Sequence, residues 1–460
     1  MMKSDPMAEK VNNKTADEAV IETNTVRQCV EHISSGAMTS EELVLHHAAQ
    51  IEKTDGKVKA WQSYDKEKAL RNATMLDDIR KRGEPTGALH GVPVGIKDIY
   101  DTKDYPTEYG SAIHAGRQPD ADCRVVEKLK EAGAIVMGKT VTTEFAFMHP
   151  SKTTNPHNAD YSPGGSSSGS AASVAAGHVS LAIGSQTNGS VLRPASFCGV
   201  YGFKPSRGVI SRRGALETSP TLDQVGVFGR DVGDIALLVD ALAGYDAADT
   251  QSYMAPKPSM LAGYLSDAPV PPTLAWIDMP YANRYSEDVI DGFKELFDEL
   301  EGMVERVPAP ESFAALIPCH KIIHEFELAR CLKTQINQHW NDISDTIKPM
   351  LENAKTHSDA SYREALEIRS AAIDWFTTFF HDYDAVLTPS ALAEAPKMGS
   401  TGDPVCCTVW TLCGLPCISL PLLSGSNSLP IGVQLVGALQ HDDRLLRTTR
   451  HVLQQLHANS

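Results

Sequence analysis

The sequence predicts an α/β fold. Three observations carry the prediction: short apolar runs that read as buried strands, helical stretches that alternate with them, and an apolar content of 42% over 460 residues, ample for a sizeable core. From about Thr25 to Lys81 the chain reads as helical, with Ser40, Glu41 and Glu42 ahead of Leu43 and Val44 as a helix start. The turn-rich Arg82-Gly-Glu-Pro-Thr-Gly87 ends that arm. Gly91-Val-Pro-Val-Gly-Ile96 then reads as a strand that delivers Lys97 and Asp98 at its end. Val125 to Glu131 reads as a helix and Ala134 to Met137 as a buried strand. Gly164 to Ser170 is as dense in Gly and Ser as a flexible linker, but it runs straight into Ala171-Ala-Ser-Val-Ala-Ala-Gly177 and Val179-Ser-Leu-Ala-Ile183. A small-residue helix and a buried strand at its exit make it an ordered loop.

From about 255 to 378 the texture changes to long amphipathic helices, Glu287 to Met303, Glu311 to Trp340 and Ala360 to Phe380. Strand-like runs return at Ala385-Val-Leu-Thr388, Cys417-Ile-Ser-Leu-Pro421 and Ile431-Gly-Val-Gln-Leu-Val436, and there is no internal repeat. The chain therefore reads as one domain over 1–460. It comprises a helical arm at about 1–82, a core at about 83–250 and 381–460, and a helical insertion at about 255–378, expected to roof a pocket and set substrate choice.

A net charge of −16 weighs against a nucleic-acid backbone as partner, because that binding rests on clustered Lys and Arg. The first twenty residues hold no apolar leader segment and no run of about 18 apolar residues occurs, so neither a secretory signal nor a membrane span is expected. The nine cysteines sit mostly in apolar settings, as at Cys198 and Cys413, and read as reduced buried thiols of a cytoplasmic protein.

Several motifs match without their chemistry. Gly133-Ala-Ile-Val-Met-Gly138-Lys139-Thr140 fits a phosphate-loop pattern, but its centre is the apolar strand itself and not a loop of exposed N–H groups. Gly165-Ser166-Ser167-Ser168-Gly169 fits the nucleophile elbow of α/β-hydrolases, but polar, proline-bearing residues precede it where an apolar strand is needed. Ser63-Tyr-Asp-Lys66 fits S-x-x-K in a charged segment and reads as a solvated helix start. His320 and His324 stand one helical turn apart, as metal ligands do, yet no third ligand is apparent, and Cys406, Cys407, Cys413 and Cys417 lack paired zinc spacing.

Three segments form a more specific constellation. Gly91-Val-Pro-Val-Gly-Ile-Lys97-Asp98, the Gly-Ser run from Gly164 to Gly177, and Gly184-Ser-Gln-Thr-Asn-Gly-Ser190 with its continuation Val-Leu-Arg-Pro-Ala-Ser-Phe-Cys-Gly199 together resemble the amidase signature family. Glu131 to Lys139, Gly202-Phe-Lys-Pro205 and Leu222-Asp-Gln-Val-Gly226 fit as well. The similarity runs from about 25 to 455 and is weakest across 255–378. The resemblance implies an α/β/α sandwich around a mixed, mostly parallel sheet. It implies Ser190 as nucleophile, Ser166 on a cis peptide as proton relay and Lys97 as general base. Backbone N–H groups of Thr187, Asn188, Gly189 and Ser190 would form the oxyanion hole, with Ser167 and Gln186 in support. No metal or cofactor is implied.

The chemistry needs each part. A serine hydroxyl is a weak nucleophile until a base takes its proton, and a lysine is a base only when neutral, which burial away from a carboxylate favours. The family commonly has G-T-D-T-G-G-S-I-R at the nucleophile, whereas this chain has Ser185, Gln186, Asn188 and Leu192 at the Thr, Asp, Gly and Arg places. Asn tolerates positive φ best among non-glycine residues, so Asn188 is expected to fit an oxyanion turn. In the glutamine-using subunit of tRNA amidotransferase the Arg helps to hold a carboxylate, and here Arg193 is displaced by one residue. The expected function is hydrolysis of an amide, carbamate or urethane bond in a small organic substrate, by a monomer or homodimer with no nucleic-acid or membrane partner. The alternatives are that glutamine-hydrolysing subunit, an α/β-hydrolase-type esterase, and a non-catalytic binding protein.

Overall fold

The computed structural model describes residues 24–459; the expected lack of a leader segment concerns residues outside these, as does the start of the N-terminal arm. Among the described residues eleven strands form one sheet. They are β1 (Trp61–Tyr64), β2 (Pro93–Lys97), β3 (Ile135–Thr140), β4 (Leu181–Gln186), β5 (Tyr201–Lys204), β6 (Gln224–Gly229), β7 (Leu274–Asp278), β8 (Val304–Pro308), β9 (Ala385–Pro389), β10 (Cys417–Ser424) and β11 (Pro430–Val436). Their order is β1-β3-β2-β4-β6-β5-β10-β11-β9-β7-β8.

The sheet is mixed, as expected, but without the expected parallel majority. β2 runs parallel to β3 and β4, β7 runs parallel to β8 and β9, and the other six neighbouring pairs are antiparallel. Short connections such as the turn between β10 and β11 force antiparallel pairing, while parallel neighbours need crossovers.

Strand residues alternate between two apolar cores, one on each face, as the two-residue period of a strand requires. Leu181 and Ile183, Val225 and Val227, Leu274 and Trp276, and Ile431 and Val433 enter one core. Ala182, Phe228, Ala275 with Ile277, and Val436 enter the other. Helices cover both. Arg124–Glu131, Val232–Leu242 and Glu287–Glu299 pack on the first core, and Ser40–Val58, Ser168–Ala175, Asp359–Phe379 and Val405–Cys413 on the second. This is the expected α/β/α layering.

The arm is not helical throughout. Three helices, Val26–Ser35, Ser40–Val58 and Lys66–Lys81, flank the edge strand β1, and the second is capped by Thr39. Ser63 therefore sits on a strand and not at a helix start. The stretch 255–378 likewise carries β7 and β8 as well as helices, so it is not a purely helical insertion. Among the described residues no helix is long and apolar enough to cross a membrane.

The candidate site lies where two parallel strands end together. Ile96 pairs with Ile183, so Lys97 at the end of β2 and Ser185 near the end of β4 reach the same edge of the sheet. In open α/β sheets ligands bind outside the carboxyl ends of such strands.

Candidate active site

Lys97 closes β2 with its side chain fully buried. Its Nζ donates to Ser166 Oγ at 2.7 Å and to Ser185 Oγ at 2.8 Å. Burial drives the pKa of this amine well below its ordinary value, and the charge of Asp223 opposes the shift only in part. The adjacent Asp98, in the turn that follows the strand, does not pair with it. Asp98 instead lies 3.1 Å from Lys139 Nζ, and both are buried. Lys139 also donates to Tyr100 O at 2.9 Å and Thr107 Oγ1 at 2.6 Å. The lysine of the phosphate-loop pattern is thus a structural cation on β3.

The Gly165–Ser166 peptide is cis. Its carbonyl oxygen accepts from Arg193 Nη2 at 2.6 Å, and Ser166 O accepts from Thr143 N at 3.2 Å. Neighbouring serines are spent on backbone. Ser167 Oγ donates to Ser185 O and accepts from Ser185 N, both at 3.2 Å. Ser168 Oγ donates to Gly164 O at 2.9 Å and Ser170 Oγ to Ile183 O at 2.9 Å. Ser167, the serine of the elbow pattern, is therefore a stitch between loop and β4, and Ser166 is the hydroxyl offered to Lys97. The following helix, Ser168–Ala175, approaches β3 closely enough that a Cβ on Gly169 would lie 2.2 Å from Ala60 O and 2.4 Å from Val141 N. Only glycine fits there.

The turn from Thr187 to Ser190 is held from outside. Gln186 Oε1 accepts the N–H groups of Val191 at 2.8 Å and Leu192 at 3.1 Å, which are orphan donors at the start of the helix Leu192–Cys198. Gln186 Nε2 donates to Thr411 Oγ1 at 2.9 Å. Asn188 Oδ1 accepts from Thr408 Oγ1 at 2.7 Å. Thr187 Oγ1 donates to Asp223 at 2.6 Å, and Thr187 O accepts from His320 Nε2 at 2.9 Å. Asn188 is not at positive φ; the turn needs no left-handed residue there, which is why a side chain is tolerated. Among the described residues the N–H groups of Asn188, Gly189 and Ser190 have no partner.

Ser190 lines a cavity of about 320 Å³ whose walls include Phe147, Met148, Asn188, Ile317 and His320. A second cavity, of about 370 Å³, borders Ser185 and shares Ala146 and Thr187 with the first. The structure brings Lys97 and Ser166 into contact; no hydrogen bond joins Ser166 to Ser190. His320 and His324 are stacked edge-on with ring centroids 5.6 Å apart, and burial lowers their pKa values to about 3 and about 4. Among the described residues no group of three potential metal ligands occurs. Sequence reasoning missed Asp223, Thr408 and Thr411 as supports of this turn and gave His320 no role. Only Asp223 carried a signal, through its place in Leu222-Asp-Gln-Val-Gly226.

Comparison with known proteins gives a matching family, a curated relative and two solved structures. The family model described as Amidase matches residues 42–446. A glutamyl-tRNA(Gln) amidotransferase subunit from Natranaerobius thermophilus is 32% identical, over 94% of this chain and 95% of its own length. Among solved structures, the one described as an unexpected vestigial protein complex that reveals the origins of an s-triazine catabolic enzyme superposes with a TM-score of 0.88 at 27% identity. That match covers 94% of this chain and 98% of the other. The corresponding glutamyl-tRNA(Gln) amidotransferase subunit from Thermotoga maritima superposes at 0.78 with 30% identity, covering 93% of each.

These names overturn the expected partners. A lone chain or homodimer without nucleic acid does not match the curated relatives, which are named as subunits of glutamyl-tRNA(Gln) amidotransferase, and one structural neighbour is named as a complex. The charge argument concerns only what one chain grips by itself and says nothing of an assembly.

Proposed function

The chain belongs to the amidase family, enzymes that hydrolyse carbon–nitrogen bonds of amides, and from that premise we propose that it cleaves a carboxamide through an acyl-enzyme on Ser190, as the amide-cleaving subunit of a larger assembly with glutamine as amide donor. One observation carries the chemistry: Lys97 Nζ, whose pKa burial lowers well below its ordinary value, stands 2.7 Å from Ser166 Oγ. Lys97 takes the Ser166 proton as Ser166 takes that of Ser190, and Ser190 Oγ adds to the carbonyl carbon. The N–H groups of Asn188, Gly189 and Ser190 receive the oxyanion, with Thr187 at the edge of the turn. Such preorganised donors are worth about 3–4 kcal/mol each where they have been removed singly. Collapse expels the nitrogen, which takes the proton back from Ser166, and water then releases the acyl group by the same relay. The stretch 255–378 supplies Ile317, His320 and His324 to the cavity wall and is the proposed source of substrate choice.

A second reading, hydrolysis of a small organic amide or carbamate, draws support from Leu192, a buried apolar residue at the carboxylate-holding place, and from the apolar walls Phe147, Met148, Ile317 and Val405. All nine cysteines are unpaired, which fits a reducing compartment, and the cytoplasm is the proposed location. The test is product release from glutamine and from a panel of aliphatic amides, anilides and carbamates. It is run with and without copurifying proteins, on wild type, Lys97→Ala, Ser166→Ala and Ser190→Ala. Glutamine turnover that needs the copurifying proteins supports the first reading, and panel turnover by the chain alone supports the second. Full activity in Ser190→Ala overturns both.

A further inference from the structure

We propose that His320 is a positioning residue that aims the oxyanion-binding N–H groups beside Ser190; the inference rests on the acyl-enzyme reading above. The observation is the 2.9 Å contact between His320 Nε2 and Thr187 O. A carbonyl oxygen only accepts, so Nε2 carries the proton and donates it. The ring is buried and its pKa is lowered to about 3, so this neutral form persists across the working pH range.

The consequence follows from peptide planarity. In a trans peptide the C=O of one residue and the N–H of the next point in opposite directions. A donor fixed on Thr187 O therefore turns the Asn188 N–H to the other side of that peptide. The next two peptides are held in the same way. Thr411 Oγ1 donates to Asn188 O, which directs the Gly189 N–H. Arg193 N donates to Gly189 O at 3.0 Å, which directs the Ser190 N–H. Three successive carbonyls are anchored and, among the described residues, the three N–H groups behind them have no partner. An array of unpartnered donors next to a nucleophile is what an incoming oxyanion requires.

The three anchors differ in origin. The Gly189 anchor is the first turn of the helix Leu192–Cys198, and the Thr411 anchor comes from the helix Val405–Cys413. The Thr187 anchor comes from Leu316–Cys331, a helix of the stretch 255–378. His320 thereby links the part of the chain that walls the cavity to the first peptide of the turn. His324, one turn on, packs its ring against Phe147 with centroids 5.3 Å apart, so the two histidines of the sequence pattern divide between turn and wall.

The experiment compares His320→Leu, which removes the donor, with His320→Gln, whose amide N–H reaches nearly as far. The readouts are kcat and KM on the best substrate of the panel, inhibition by an aldehyde analogue whose adduct carries an oxyanion, and substrate affinity measured in the Ser190→Ala background. Misdirecting one donor is expected to lower kcat about ten- to a hundredfold in His320→Leu, with KM within about threefold and aldehyde affinity lost by a similar factor as kcat. His320→Gln should retain most of kcat and of aldehyde binding. A folded His320→Leu with unchanged kcat overturns the proposal. So does a folded His320→Gln whose kcat and aldehyde affinity fall about ten- to a hundredfold, which would mark the ring as packing only, and this arm stands by itself if His320→Leu does not fold. Activity surviving in Ser190→Ala would instead refute the acyl-enzyme reading, and the two failures are separable.

Discussion

Replacing Lys97 with methionine should abolish turnover and also flatten the pH dependence of stability. The second effect tests the buried neutral base without any substrate. In the fold the Lys97 amine is wholly buried and its pKa lies well below the ordinary 10.5; in the unfolded chain it returns to that ordinary value. Between the two values the unfolded chain holds one more proton than the folded one. Stability therefore rises with pH across that window, by about 1.4 kcal/mol per pH unit for one proton. Above 10.5 the cost of burying the amine vanishes, and below the depressed value it is at its full size. Methionine removes this slope. It also removes donors to Ser166 and Ser185, at a net cost of about 1 kcal/mol each that does not change with pH. The assay is urea unfolding of both proteins at several pH values from 6 to 9, with the difference in free energy plotted against pH. That difference should move in favour of the variant by about 1.4 kcal/mol for each unit of acidification while the window lasts. Parallel curves would mean that Lys97 keeps its proton in the fold, and the base role would fall with it. The same depressed pKa predicts that wild-type kcat/KM declines on its acid side as Lys97 takes up a proton.

Asp98→Asn removes the charge facing Lys139 while both sites stay buried, and should cost about 3–5 kcal/mol in urea unfolding at neutral pH; a loss under about 1 kcal/mol would mean that Lys139 is neutral in the fold. Gly169→Ala puts a Cβ 2.2 Å from Ala60 O, so the helix that follows Ser166 must shift; stability should fall by about 1–3 kcal/mol and kcat should fall more than KM changes. An unchanged Tm would refute that packing.

The sheet was legible where apolar runs were uninterrupted, as at β2, β3, β4 and β11. It was not legible at β5, which has four residues, or at β8, whose Glu305 and Arg306 are exposed on the sheet edge. There pairing with neighbours, not composition, makes the strand. Of the proposed site, Lys97, Ser166 and Ser190 could be singled out because each sits in a local pattern. Their supports were not: Thr411 reaches Asn188 across 223 residues and His320 reaches Thr187 across 133. A threonine inside an apolar helix or a histidine on a helix face has no local mark. Only the packing of those helices over the end of β4 gives them work.

The residues at 186 and 188 that depart from the family pattern answer to the helix Val405–Cys413. Gln186 is long enough to accept two N–H groups of the next helix while its amide still donates to Thr411. Asn188 places its side-chain oxygen on Thr408. The helix also sits directly over the turn, for a Cβ on Gly189 would lie 3.0 Å from Pro404 Cβ, so a lost contact cannot be recovered by sliding. Asn188→Gly, which restores the common family residue, should therefore destabilise this chain and not improve it. Thr408→Val should do the same, each by about 0.5–1.5 kcal/mol, the ordinary worth of one hydrogen bond. Because both remove the same bond, the double variant should cost less than the sum of the singles, with a coupling of at least about 0.5 kcal/mol in a cycle of unfolding free energies. Additive costs would make Asn188 and Thr408 independent neighbours. Coupled costs would mean that the turn beside Ser190 and the helix above it are held by one shared bond, so that the residues at 186–190 cannot be judged without residues 408 and 411.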